Sequence, residues 1–345
     1  MLTRNLLALG AIVALLSCPG VCSAQLRADR LYCTVGRAIP VHVQGQPSKG
    51  RHEVVLTEAD GREVARVAVL PGPIDLAPLF PALWGDQPRR VLRAQLLVGG
   101  QGVGPPLVLQ PMLTPARAVL DARADPARPA VVFQLPKKEE DVYSGLRVYV
   151  DQRAELTTDL GRIVIELLPE SAPNSAYNFR QLVAGGFYTD IPFHRVVPAG
   201  RDGHPFVIQA GDPTNTGEGG PGYIFDLEQS TLKHDLGVVS MARSPEPNTN
   251  GSQFFIALSR AGTARLDGNY CAFARVIEGI EAVNAIASTK LQAGTDKPVK
   301  PPRITQARLI DPPPMPIKPP ATKSTEAPKP KPKPEPAPAQ EPVVR

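Results

Sequence analysis

The sequence predicts a mainly β protein: a small β-sandwich followed by a closed β-barrel capped by two helices. Three observations predict it. Short runs rich in Val, Ile and Leu recur between Gly, Pro and Asp-Gly turn signals along most of the 345 residues. Only two segments keep the apolar period of a helix. The 40 prolines argue against an all-helical chain, because proline is expelled from helix interiors. With 42% hydrophobic and 21% charged residues, most of the chain can fold around a core, and its length suits about two domains. A net charge of +5, few aromatics and no dense Lys/Arg block argue against nucleic acid as a partner.

Residues 1–24 read as a signal peptide. Arg4 supplies the positive start, and residues 6–16 form an apolar run too short to span a bilayer as a mature helix. Cys22-Ser23-Ala24 supplies a small-residue cleavage site. The mature chain is therefore expected in the periplasm or outside the cell, with no membrane span. Leu15-Leu16-Ser17-Cys18 also resembles a bacterial lipoprotein box, which would leave a lipid anchor at Cys18. Both readings stay open. After cleavage at Ala24, Cys33 and Cys271 remain, far apart and outside any Cys-x-x-Cys. They read as two independent thiols, although an exported protein permits a disulfide. Residues 311–345 hold 13 prolines among many lysines and read as an extended, disordered tail.

Residues 25–135 carry strand signals and almost no helix signal. Ile39-Pro-Val-His-Val43 is one extended run. His52-Glu-Val-Val-Leu-Thr57 and Glu63-Val-Ala-Arg-Val-Ala-Val-Leu70 flank Asp60-Gly61, a hairpin signal. Val91-Leu-Arg-Ala-Gln-Leu-Leu-Val98 and Leu107-Val-Leu-Gln110 flank a glycine-rich turn. The pattern predicts a small β-sandwich without a catalytic constellation, with Trp84 as an anchor. Residues 136–145 read as a linker and 146–310 as a second domain. There Arg162-Ile-Val-Ile-Glu-Leu-Leu168 predicts a strand. Ser171 is expected to cap a helix with Pro173 in its first turn and Ala176, Phe179 and Val183 on its buried face. A second helix over residues 278–287 would place Ile280, Val283 and Ala287 on one face.

Several motifs of this second domain carry a resemblance. They are Phe193-His-Arg-Val-Val-Pro198, Phe206-Val-Ile-Gln-Ala-Gly-Asp-Pro213, Asn248-Thr-Asn-Gly-Ser-Gln-Phe-Phe-Ile256 and Leu266-Asp-Gly268. Thr158-Asp-Leu-Gly-Arg-Ile163 and Ala172-Pro-Asn-Ser-Ala-Tyr-Asn-Phe179 join them. In order and spacing these resemble the cyclophilin signature, over about residues 146–290. The resemblance implies an eight-stranded antiparallel barrel with two capping helices, and peptidyl-prolyl cis–trans isomerase activity.

The chemistry such an enzyme needs can be stated independently. Rotating an X–Pro bond breaks amide resonance against a barrier of about 18–20 kcal/mol. Uncatalysed exchange takes roughly tens to hundreds of seconds. Reaching milliseconds requires about 7 kcal/mol of selective transition-state stabilisation. An apolar pocket must hold the proline ring. A fixed cation or donor must favour the twisted amide, and polar groups must hold the flanking peptide.

The resemblance places Arg195 at the catalytic arginine, a permanently charged donor fork. It places Gln209 where the substrate is positioned and the arginine oriented. Phe206, Val207, Phe255 and Leu266 match the proline pocket, and Ala242 and Gln253 the groove beside it. Tyr270 stands where the family has a histidine. Val207 replaces a frequent methionine, and Arg265 replaces a tryptophan important for cyclosporin binding, so cyclosporin sensitivity is expected to be weak. Ala199-Gly-Arg-Asp-Gly-His-Pro205 lengthens the loop beside the site.

Other patterns carry less. Gly217-Glu-Gly-Gly-Pro-Gly222 reads as a turn, because no helix follows it. Histidines 42, 52, 194, 204 and 234 have no ligand spacing, and neither a metal nor a cofactor is expected. The favoured function is isomerisation of X–Pro bonds in exported proteins by a monomer whose partners are proline-containing polypeptides. The alternative is a catalytically weak proline-peptide binding module or chaperone.

Overall fold

The computed structural model describes residues 25–45, 50–85, 90–114, 118–120, 131–133 and 142–320. The signal-peptide and Cys18 readings, most of the expected linker and residues 321–345 lie outside them. Two hydrophobic cores divide the described chain. The first lies between two antiparallel sheets. One has three strands, in the order Gln25–Ala28, Pro40–Gln44, Gly72–Asp75. The other has six, in the order Tyr32–Thr34, Tyr143–Val150, Gln101–Leu113, Leu92–Val98, His52–Thr57, Glu63–Val69. Leu26, Val41, Val54, Leu56, Leu96, Leu109 and Val148 fill the space between them.

Two expectations change here. Strand Tyr143–Val150 pairs with Gln101–Leu113, and its Leu146 and Val148 enter this first core. The boundary expected at residue 146 therefore falls inside a strand of the sandwich, whose sheet claims the chain as far as Val150. The start of the supposedly disordered tail is also placed, because residues 312–318 strap the second face of the six-stranded sheet. Met315 donates its backbone N–H to Gln95 Oε1 at 2.9 Å. Lys318 donates to the Gly61 carbonyl at 2.9 Å and accepts from the Glu63 amide at 2.9 Å. Proline supplies the reason: an extended proline run loses little entropy on docking and has few N–H groups to satisfy. Gly61, at φ 84°, lets the strap approach, since a Cβ there would run into the Pro316 carbonyl oxygen. The strap also covers Thr57, whose hydroxyl donates to Met315 Sδ at 3.2 Å, at the end of a strand whose six residues are all buried.

The second core fills a curled nine-stranded antiparallel sheet. Its order is Ile191–Pro192, Arg303–Ile310, Arg153–Thr158, Gly161–Leu167, Ala272–Glu278, Val238–Met241, Phe254–Ala257, Val207–Ala210, Arg195–Val197. The two edge strands are separated in the chain only by Phe193 and His194, so the sheet returns on itself. Counted as one strand, they make eight. Phe179, Tyr188, Phe254 and Phe273 pack as an aromatic cluster with ring centroids 4.9–5.5 Å apart.

Helices Pro173–Ala184 and Ile280–Ala287 pack on this barrel. Ala176, Phe179 and Val183 are buried, as their spacing predicts. Ser171 does not cap the first helix, whose N-cap residue is Ala172. The Glu228 carboxylate takes that role from a distant loop, accepting the Asn174 and Ser175 amides at 2.9 and 2.7 Å. The second helix begins at Ile280, after Gly279 in left-handed backbone. Cys33 and Cys271 are free thiols buried in separate cores. Burial pushes Cys271 up to about 12. Among the described residues, no helix is long and apolar enough to cross a membrane.

The two units meet across a charged clasp. Buried Arg93 donates from Nε to Asp151 at 2.8 Å and from Nη2 to Glu170 at 3.1 Å. The Arg147 guanidinium sits 4.0 Å from the centre of the Tyr177 ring, and Arg180 donates to Gln152 at 2.7 Å.

Candidate active site

Sheet register assembles the site from residues far apart in sequence. Arg195 lies directly opposite Gln209, Gln209 opposite Phe255, and Phe255 opposite Ser240. Directly opposed residues share a face of the sheet. Strand alternation separates the two neighbouring phenylalanines. Phe254 is wholly buried in the barrel core, whereas Phe255 belongs to a small outer cluster with Val197, Val207 and Leu266. Phe206, Ala242 and Tyr270 pack against that cluster. The structure thus gathers all seven expected substrate-binding residues around one apolar recess, with Gln253 joined through its backbone carbonyl to the Ala242 amide at 2.9 Å.

A polar relay runs along the recess. Arg195 Nη1 donates to Gln209 Oε1 at 3.3 Å, and Gln209 Nε2 donates to Gln253 Oε1 at 3.0 Å. Gln253 Nε2 then donates to the Gly217 and Gly219 carbonyls at 2.8 and 2.9 Å. On its other side, Arg195 Nε donates to Asp296 Oδ2 at 3.2 Å. The arginine side chain keeps 40% of its exposure, so part of the guanidinium stays open to solvent.

Sequence reading missed several supports of this relay. Asp296 lies 101 residues from Arg195, and no local pattern joins them. Asp212, inside the Phe206–Pro213 motif, fastens the glycine loop. Its carboxylate accepts from the Thr214 amide and hydroxyl, both at 2.7 Å, and from the Thr216 and Gly217 amides at 2.9 and 2.5 Å. Burial alone would raise Asp212, but these hydrogen bonds outweigh it and hold the carboxyl at about 2. An Asp followed by hydroxyl residues two and four places on was the available signal. The 217–222 run is irregular, bent backbone with no helix after it, and it forms one wall of the groove.

Beneath the recess, His234 stacks on Phe255 with centroids 5.8 Å apart. Its Nδ1 lies 3.0 Å from Asp267 and its Nε2 3.1 Å from Ser240. The three resemble a hydrolytic triad in composition, but Ser240 is fully buried and meets no substrate. Burial lowers the His234 pKa, so the ring is neutral near pH 7 and serves as a brace. His194 is likewise buried and lowered by burial. Among the described residues, no cluster of side chains could hold a metal ion.

An apolar recess with a fixed guanidinium at its edge and a hydrogen-bonding groove alongside can hold an extended peptide and act electrostatically on one bond. Comparison with known proteins gives that arrangement a family. A family model described as cyclophilin type peptidyl-prolyl cis-trans isomerase/CLD matches residues 153–309. Peptidyl-prolyl cis-trans isomerase ppi1 of Schizosaccharomyces pombe is 41% identical over 158 residues, covering 44% of this chain and 96% of that one. Peptidyl-prolyl cis-trans isomerase-like 2 of Cryptococcus neoformans is 39% identical over 43% of this chain and 25% of its own length. A solved cyclophilin type isomerase from Cryptosporidium parvum is 36% identical, covering 46% of this chain and 99% of that one, with a TM-score of 0.42. The chain belongs to the cyclophilin-type peptidyl-prolyl cis-trans isomerases, and it is an enzyme of that class.

Proposed function

We propose that the barrel accelerates X–Pro rotation by seating the proline ring in the recess formed by Phe206, Val207, Phe255, Leu266 and Tyr270, while Arg195 stabilises the twisted amide. The observation that carries this reading is the position of Arg195, held from both sides by Asp296 and Gln209 at the edge of that recess. As the amide twists, its nitrogen loses resonance and becomes a basic, pyramidal acceptor. A guanidinium that is already oriented and cannot lose its proton stabilises that geometry with little reorganisation. Gln209, Gln253 and the Ala242 edge hold the flanking peptide, so rotation is confined to one side of the bond. The recess would exclude water from the proline ring, and no covalent step is needed.

The expected clients are exported polypeptides. The pattern of residues 1–24 supports this, with cleavage after Ala24 or lipidation at Cys18 as the two processing routes. Acceleration of cis–trans exchange in a short Ala-Pro peptide, lost in Arg195→Ala, tests the mechanism. A folded protein without acceleration would favour the proline-peptide binding module instead. The mass of the mature N-terminus tests the export routes.

A further inference from the structure

Two arginines outside the relay stand on the aromatic walls of the recess. The Arg265 guanidinium lies 4.2 Å from the centre of the Phe206 ring, and Arg243 lies 4.6 Å from that of Tyr270. Backbone carbonyls fix both. Arg265 Nη1 donates to the Gly262 carbonyl at 2.6 Å. Arg243 donates from Nε and Nη2 to the Asn269 carbonyl at 3.1 and 3.0 Å, and from Nη1 to those of Ser244 and Pro245 at 2.9 and 3.1 Å. Carbonyls orient a guanidinium without cancelling its charge. Among the described residues, Arg243 has no ion pair, and Arg265 has only Asp202, 3.8 Å away in the 199–205 loop. The Arg265 side chain is 53% exposed. Arg195, by contrast, shares its charge with Asp296.

We propose that Arg243 and Arg265 make the site selective for X–Pro segments bearing a carboxylate side chain within about three residues of the proline. This rests on the isomerase reading above. The spacing follows from the chain geometry. Phe206 and Gln209 are three residues apart in extended backbone, about 10 Å, so a peptide crossing the relay passes the rim cations within about three residues. A substrate carboxylate would meet a guanidinium already oriented on an aromatic face. On the Arg265 side it would take the place that Asp202 now holds loosely. A lysine at the same position would meet like charge.

The test uses the full chain and short peptides with Ala, Glu or Lys at each of the three positions on either side of one proline. The readout is kcat/KM for cis–trans exchange. Glu is expected to exceed Lys by about three- to tenfold at one or more positions, as suits part-exposed ion pairs. The ratio should shrink toward one in 0.5 M salt, an arm that needs no variant. Arg265→Gln and Arg243→Gln should each lower the ratio at the position they serve, and Asp202→Asn should raise it. A Glu-to-Lys ratio near one at every position, with the Ala peptide still accelerated, would overturn this inference alone. So would an unchanged ratio in the double Gln variant. No acceleration of any peptide would overturn the isomerase reading as well.

Discussion

Arg93, where the sandwich meets the barrel, and Arg195, on the barrel's outer face, are each gripped from two sides, and they serve opposite ends. Arg93 is almost wholly buried and donates from Nε to Asp151 and from Nη2 to Glu170, while its Nη1 is buried without a hydrogen-bond partner. Burial works against its charge, and the two carboxylates more than restore it. Arg195 is held by one exposed carboxylate and one amide and remains 40% exposed. The difference teaches what separates a cation held as structure from one proposed to act on substrate. Arg93 is neutralised and closed off, whereas Arg195 is oriented by its two partners and keeps part of its surface open, as its proposed role requires. The same contrast extends to the units. The cavity of about 260 Å³ in the sandwich is lined mainly by apolar groups such as Leu56, Val67, Phe80 and Leu109. The barrel recess is bordered by a continuous polar relay.

The largest expected effect breaks the clasp. Arg93→Ala strands two carboxylates and should cost about 3–5 kcal/mol of stability. Burial already pushes the Asp151 carboxyl up, so it can take a proton, which favours the lower end of that range. Urea unfolding measures the loss. Peptide turnover by the folded fraction should be unchanged, and a loss of turnover would break the contrast drawn above. Arg195→Ala should do the reverse, lowering kcat/KM on a short X–Pro peptide by about a hundredfold while leaving the unfolding midpoint in place.

Asp212 sharpens the comparison through pH. Its folded pKa of about 2 lies below the ordinary 3.8, so the unfolded chain takes up a proton first. Its stabilisation is full above pH 4 and is lost as pH falls toward 2, amounting to about 2 kcal/mol. Between pH 5 and pH 2.5 the native chain should lose about 1–2 kcal/mol more stability than Asp212→Asn in urea unfolding, because Asp267 and Glu155, also held low, contribute equally to both.

The strap offers a smaller effect. Gly61→Ala adds a Cβ against the Pro316 carbonyl and forces alanine into left-handed backbone, at about 1–2 kcal/mol. Faster proteolysis within residues 311–320, with peptide turnover retained, would place the strap on the structural side of the comparison. The smallest effect is expected from Asp296→Ala, which removes one grip on Arg195. It should lower kcat more than it raises KM, by about three- to tenfold. An effect on KM alone would mean that Asp296 contacts substrate rather than positioning the arginine.

Local signals made much of this molecule legible. Strand runs, the Asp60-Gly61 hairpin and the Ala176–Phe179–Val183 helix face depend on residues only a few places apart. The groups that line the recess each lie in a short local motif, such as Phe193-His-Arg195 and Phe254-Phe255, although the motifs themselves are far apart in the chain. Ser171 was misread because a cap is identified by the oxygen nearest the helix amides, and that oxygen came from Glu228, more than fifty residues away.

The sequence by itself determined a β protein of two units and the identity of the groups around the recess, since residue type and local period are written along the chain. Only the tertiary structure decided how those groups are held. Asp296 reaches Arg195 across 101 residues, and the Met315 strap reaches Gln95 across 220. The physical reason is that an ion pair or hydrogen bond depends on distance in space. Closing a barrel or docking a strap creates that proximity between segments with no shared local pattern.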